Sequence, residues 1–253
     1  MTSFHPFDPA GKAAVLAELR ARVHRLEGGG GSDGRVLALG AAALDGHLPG
    51  GGLALGCLHE IAGVAAGDDG AAVGFAAALL GRLAAGRGRV LWLSRRRDLY
   101  PPGLAGLGLT PEPLIVVAAR RDRDVLWAME EALACRRLAA VLGEVDEMDL
   151  VASRRLQLAA ESLGVTGLLL RPPAPRPSAS AAVTRWRLAA AASATAAPGL
   201  GPPRWRADLA RCRGGRPGRW LLEWRDGRFA DIAEADSGPA FEDRSPATIR
   251  ASG

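Results

Sequence analysis

Residues 63–70, Gly-Val-Ala-Ala-Gly-Asp-Asp-Gly, are where this sequence comes closest to a chemical motif. They follow a short apolar run and precede an Ala/Leu-rich stretch of helical character, the setting of a G-x-x-x-x-G-K-[ST] phosphate loop. In such a loop glycines let backbone N–H groups curl around the phosphates, a lysine offsets their charge, and a hydroxyl holds magnesium. Here the last three positions are Asp68, Asp69 and Gly70, so the second glycine, the lysine and the hydroxyl are all absent. A carboxylate about 4 Å from a phosphate charge costs on the order of 4 kcal/mol at an effective dielectric of about 20, roughly a thousandfold in affinity. Lys12 is the only lysine of the chain, so no core lysine can substitute. The expectation is a degenerate phosphate loop formed by Gly63, Gly67, Asp68, Asp69 and Gly70. One aspartate should accept from the free N–H groups of the following helix, as an N-cap, where a phosphate would otherwise sit. A metal would need further oxygen ligands, so no metal and no cofactor are expected.

The second candidate is the interleaving of arginine with tryptophan in "TRWRL" at 184–188 and "RWRADLARCRGGRPGRWLLEWR" at 204–225. Indoles stack on bases and guanidinium groups pair with phosphates, the combination that binds single strands. Arg185, Trp186, Arg187, Arg204, Arg206, Arg211, Arg213 and Arg216 are therefore candidates for contact with DNA or a protein partner. Strand alternation offers a second reading, because it sends Trp205 to one face and Arg204 and Arg206 to the other. On that reading Trp186, Trp205, Trp220 and Trp224 fill a sheet face and the arginines are solvated.

Other chemistry is missing. Ser94 lies beside arginines, and His5, His24, His47 and His59 stand in no nucleophile or metal-helix context. His59 and Glu60 read as part of a strand. Cys57, Cys135 and Cys212 are few, odd in number and far apart, which suits reduced cytosolic thiols. The start, "MTSFHPFDPAGK", has neither the basic end nor the apolar block of a signal peptide, and no apolar run of about 18 residues is present. A cytoplasmic protein without a membrane partner is expected. Net charge is +5 with a pI near 10.0, and the excess lies in the C-terminal third, where arginines far outnumber acids.

Residues 9–27 place Leu16, Leu19, Val23 and Leu26 at helical spacing before "GGGGSDG". Residues 1–34 are expected to be an amphipathic helix on a glycine tether, either packed back on its own core or able to mediate partner contact or homo-oligomer formation. From Arg35 short apolar strands are expected at 36–39, 57–62, 89–93, 114–118, 138–145 and 165–170, with helices at 71–85, 122–137 and 149–163. That alternation predicts an α/β domain with a mainly parallel sheet flanked by helices. The Pro/Ala-rich stretch 171–204 predicts a mobile loop region with one strand near 183–188, and 204–224 predicts an antiparallel hairpin closing the sheet. The core thus spans 35–225, and 226–253 is expected to be a disordered tail.

"LALGAAALDGHLPGGGLALGCLHEIAG", 37–63, resembles the entry to a RecA-like core, with its L-x-x-G-x-x-x-L-D pattern, Gly-rich turn and strand leading to the loop. Together with "RDLYPPGLAGLGL", "LWAMEEALACRRLAAVLGEV", "ASRRLQLAAESLGVTGLLLR", "PSASAAVTRWRLA" and "PRWRADLARCRGGRPGRWLLEW", it resembles the ImuA family over most of 37–224. ImuA proteins are RecA-like accessory proteins encoded beside the ImuB polymerase homologue in bacterial damage-inducible mutagenesis operons. The resemblance implies a RecA-like, P-loop-type core used for contacts in translesion DNA synthesis during the SOS response. It also implies an ImuB-type polymerase subunit as partner, with RecA and single-stranded DNA as further candidates. Association with the nucleoid when DNA is damaged follows from that role.

The resemblance also locates two departures from RecA. The catalytic glutamate expected after strand 89–93 corresponds to about Arg96, and the magnesium-binding aspartate that ends strand 138–145 has only Glu144 as stand-in. With the altered loop these make three departures, which imply a non-catalytic scaffold. A DNA-stimulated ATPase with a non-standard arginine set is the enzymatic alternative. A cell-division inhibitor resembling SulA is a third reading, set aside because this chain keeps more of the core.

Overall fold

The computed structural model describes residues 34–85, 88–96, 98–174, 178–193 and 201–232. The expected N-terminal helix, with Leu16, Leu19, Val23 and Leu26, lies outside them. The chain enters through β1 (Val36–Leu37), α1 (Ala42–Asp45), a tight turn at Pro49–Gly51 and β2 (Leu53–Ala54). β1 and β2 pair antiparallel in a small sheet of their own. The run at 36–39 therefore does not join the main sheet. Asp45 explains why: its carboxylate accepts from the Leu39 and Gly40 N–H groups at 2.8 and 2.9 Å and folds the chain over after Leu37.

The main sheet follows with β3 (Leu58–Gly63), α2 (Asp69–Ala84), β4 (Arg89–Ser94), α3 (Pro101–Leu104) and β5 (Leu114–Ala118). Next come α4 (Asp122–Leu133), β6 (Leu138–Glu144), α5 (Leu150–Leu163), β7 (Thr166–Arg171) and β8 (Thr184–Ala191). The last strands are β9 (Arg204–Cys212), β10 (Gly218–Arg225) and β11 (Arg228–Asp231). Nine strands form one sheet in the order β11-β10-β9-β8-β3-β7-β6-β4-β5. Neighbours from β8 to β5 run parallel, and β8 to β11 are antiparallel. The architecture is α/β with a mostly parallel sheet and an antiparallel C-terminal hairpin.

Helices cover the parallel half on both faces because its strands are apolar on both sides. α4 and α5 bury Val125, Met129, Leu133, Leu156 and Ala160 against Leu58, Val141 and Leu169. Gly143 permits the close fit, since a Cβ there would lie 2.2 Å from the Met129 sulfur. α2 covers the opposite face and reaches into the antiparallel half. Its Phe75 ring lies 5.5 Å from Trp186, 6.1 Å from Trp205 and 5.0 Å from Phe229, centroid to centroid. Burial of each such side chain stabilises the fold by about 1.5–3 kcal/mol.

One boundary needs correction. The fold does not end at Arg225: β10 turns through Asp226 and Gly227, with φ of 51° and 73°, into β11, and Phe229 is fully buried. Both turn residues are left-handed, the geometry that matches the twist of a two-residue hairpin. The disordered tail expected from 226 therefore cannot begin before 232, and 233–253 lie outside the described residues.

Candidate functional site

The carboxyl ends of β4, β6 and β7 and the start of α2 open on a crevice of about 170 Å³. Asp69, Arg95, Arg96, Asp98, Glu144, Asp146 and Arg171 line it, with Ala72 and Val73 of α2. In parallel sheets this edge is where ligands bind. The fold thus brings together Asp69 of the 63–70 loop, Arg96 and Glu144, three residues the sequence spreads over 76 positions. Arg95, Asp146 and Arg171 join them and were not singled out by sequence. Their only signal was position at or just beyond a strand end.

The two aspartates of the loop do different things. Asp68 precedes α2 but makes no side-chain cap, contrary to the expectation that it would accept from the helix N–H groups. Its carboxylate accepts instead from the Ala65 N–H within the loop and from the Ala190 N–H on β8, both at 3.2 Å. Val64 N–H donates to the Leu188 carbonyl at 3.0 Å, so the loop is tied to β8 at two points. Gly63 passes close to Asp68, where a Cβ would come within 3.1 Å. Gly67, with φ of 100°, turns the loop, and Gly70 lies in the first turn of α2. Asp69 opens α2 and is the loop carboxylate that faces the crevice.

Glu144 is held by its neighbours. It accepts from the Trp92 indole N–H at 2.8 Å and the Arg95 backbone N–H at 2.9 Å, and the Ser94 hydroxyl lies 3.2 Å from both its oxygens. Arg95 makes ion pairs with Asp146 and, at 3.0 Å, with Asp122. Asp122 also accepts from the Asp146 and Glu147 N–H groups at 3.1 and 2.9 Å, fastening the start of α4 to the loop after β6. Arg96 is exposed on the rim.

A smaller cavity of about 60 Å³ adjoins the crevice, bordered by Glu60, Asp146, Arg171, Arg185 and Arg187. Buried Glu60 is the common partner of Arg185 at 3.3 Å and Arg171 at 3.9 Å. Arg171 also donates to the Asp146 carbonyl and the Ser178 hydroxyl, and Arg185 to the Ser178 carbonyl. His59 is a strand residue, as expected. Its Nε2 donates to the Ala54 carbonyl at 2.8 Å, so Nδ1 accepts from the Thr184 hydroxyl at 2.7 Å. Burial lowers its pKa to about 4, which keeps the ring neutral. Burial likewise pushes the Cys57 thiol up to about 11, far from thiolate chemistry.

The arginine and tryptophan set divides by the strand period. Trp186, Trp205 and Trp224 point into the α2 face and are buried, with indole N–H groups donated to the Thr184 hydroxyl and to the Ala71 and Gly106 carbonyls. Trp186 is therefore not available to stack on a base, because a fully enclosed ring offers no face to a ligand. Arg185, Arg187, Arg204 and Arg206 emerge on the opposite face, over which α4 and α5 do not extend. Several of them are engaged. Arg204 donates to the fully buried Glu223 at 2.7 Å, and Arg225 pairs with the same carboxylate. Burial alone would raise the Glu223 pKa, but the hydrogen bonds and charges of Arg204 and Arg225 outweigh it and hold the carboxyl below its ordinary range. Arg211 and Arg213 donate to the Ser180 and Ala181 carbonyls, and Arg216 to that of Gly46. Arg187 and Arg206 stay half-exposed without a partner among the described residues.

Among the described residues no helix is long and apolar enough to cross a membrane, and no cluster of His, Cys, Asp and Glu suits a metal ion. Fold and crevice together define an α/β protein with a charged strand-end site in which Arg95 pairs with Asp146 and Glu144 is held by N–H donors. No protein-family model matches the chain. Two curated proteins, each named Protein ImuA and coming from two strains of Caulobacter vibrioides, are 41% identical to it, covering 81% of this chain and 96% of their own length. The chain belongs to the ImuA family.

Proposed function

We propose that this protein is a non-catalytic accessory of damage-induced mutagenesis, a scaffold that binds an ImuB-type polymerase subunit, with RecA as a second partner, during translesion DNA synthesis. Family membership supplies the biological setting. The observation that carries the non-catalytic part is the occupation of Glu144, whose oxygens already receive the Trp92 and Arg95 N–H groups, leaving poor provision for a magnesium ion. Asp69 at the head of α2 adds a negative charge where a phosphate would have to approach, and about 170 Å³ falls below the roughly 300 Å³ of ordinary ligand pockets. The strand order, with the loop-bearing β3 between β7 and β8, supports a RecA-like ancestry for the core.

Titration calorimetry with ATP and magnesium tests this reading. No heat of binding is expected at millimolar nucleotide, and micromolar affinity would favour the DNA-stimulated ATPase instead. Co-purification with an ImuB-type subunit and with RecA from damage-treated cells tests the scaffold role, and its absence for both would remove it. A secondary affinity for single-stranded DNA is supported by Arg187 and Arg206, half-exposed and unpartnered among the described residues on the face that the α4 and α5 pair leaves open. Phosphate contacts of this kind release counterions, so binding should weaken steeply with salt.

A further inference from the structure

Seen from outside, α4 and α5 carry more exposed apolar surface than their role in the core requires. Trp127 on α4 is 65% exposed, and Val151 and Leu158 on α5 are 68% and 49% exposed. Val151 and Leu158 are seven positions apart, two helical turns, and share the outward side of α5, opposite the buried Ser153, Leu156, Gln157 and Ala160. Between the helices runs a groove of about 230 Å³ lined by Leu126, Trp127, Ala152 and Leu156 and by the charged Arg123, Glu130 and Arg155, the last two ion-paired. Exposed apolar side chains on two helices that pack together, beside charged groups that line the groove between them, suit an amphipathic segment as occupant.

The start of the described chain says what can reach it. Arg35 is pinned where its carbonyl accepts from the Leu55 N–H at 2.9 Å. Its guanidinium lies against Gly164, the residue that ends α5, so closely that a Cβ there would stand 2.5 Å from Arg35 Nη2. The described chain therefore begins within an arginine side chain's length of the C-terminal end of α5. The preceding sequence is the "GGGGSDG" tether and, before it, residues 9–27 with the apolar set Leu16, Leu19, Val23 and Leu26. Residues 28–33 span up to about 20 Å when extended, and α5, with 14 residues, is about 21 Å long.

We propose that residues 9–27 fold back in cis and seat their apolar stripe on the outer surface of α4 and α5, over Trp127, Val151 and Leu158. A tether this short sets an effective concentration in the millimolar range, so the chain's own segment occupies the face ahead of a second copy at ordinary working concentrations. The inference stands independently of the nucleotide and partner readings.

Limited trypsin digestion of the full-length chain tests it, followed at Arg20, Arg22 and Arg25 by mass spectrometry. Cleavage at these three arginines should be at least about tenfold slower in the parent than in a Val151→Asp, Leu158→Asp double variant, because only the seated segment is shielded. Leu19→Asp, a change outside the core, should release the segment equally and guards against a core variant that fails to fold. Protection in the parent should be independent of protein concentration, with a monomer on sizing. Equal cleavage in parent and variants would overturn the proposal. So would protection that grows with concentration, which would move the segment onto a second copy.

Discussion

The crevice at the ends of the parallel strands and the arginine face of the antiparallel half are both densely charged, yet they spend that charge differently. In the crevice Arg95 joins Asp122 and Asp146 and Glu144 takes N–H groups from Trp92 and Arg95, and in the adjoining cavity Glu60 holds Arg171 and Arg185. On the antiparallel half, Glu223 takes Arg204 and Arg225, and Arg211, Arg213 and Arg216 fasten loops by their carbonyls, but Arg187 and Arg206 have no partner among the described residues. A charge that is already satisfied is part of the scaffold, and an unsatisfied one is available to a ligand. Charge density by itself therefore locates neither a nucleotide site nor a nucleic-acid surface. The inventory of partners separates them.

The sharpest way to test this division is through the aromatic cluster on which both regions rest. Phe229→Ala removes a ring packed against Phe75, Trp205 and Trp224 and should cost about 3–5 kcal/mol in urea unfolding. A cost below about 1 kcal/mol would show that β11 is an appendage. Next in size is His59, which joins β3 to β8 between the two regions. Its folded pKa of about 4 lies below the ordinary 6.5, so the unfolded chain takes up the proton first as pH falls. Stability should drop between about pH 6.5 and 4 by up to about 3 kcal/mol, a loss of roughly 1.4 kcal/mol per unit. Unfolding measured at pH 7.5 and 4.5 checks it, and His59→Gln should flatten that part of the profile.

Smaller effects probe the two charged surfaces themselves. Glu144→Gln leaves one acceptor for the Trp92 and Arg95 N–H groups and should cost about 1–2 kcal/mol. Asp69→Lys should change stability by no more than about 0.5 kcal/mol and, on the proposed non-catalytic reading, should not confer ATP hydrolysis. A working hydrolase from that single change would erase the distinction drawn for the crevice. The combined Arg187→Ala and Arg206→Ala variant should also stay within about 0.5 kcal/mol of the parent. In fluorescence anisotropy with a single-stranded oligonucleotide, however, its affinity should fall and its salt slope decrease by about one to two. An unchanged slope would return those two arginines to ordinary solvated surface.

Much of this was legible in the chain. The period of the apolar residues and the turn residues between them gave β5 at 114–118 and placed the other parallel strands and three long helices to within a few residues, because a buried parallel sheet demands continuous apolar runs. The absence of a lysine and a hydroxyl from the 63–70 loop is likewise a fact of sequence, as is the alternation that separates Trp205 from Arg204 and Arg206. A readable signal was passed over at Asp226-Gly227, a two-residue hairpin turn that announces β11. Tertiary structure alone decided that Asp68 ties the loop to β8 instead of capping α2, that Glu60 serves two arginines, and that Arg95 meets Asp122 and Asp146. Those outcomes depend on which strands lie side by side. Residue type fixes what a carboxylate can accept, but only the order of the sheet brings it a donor from more than a hundred residues away.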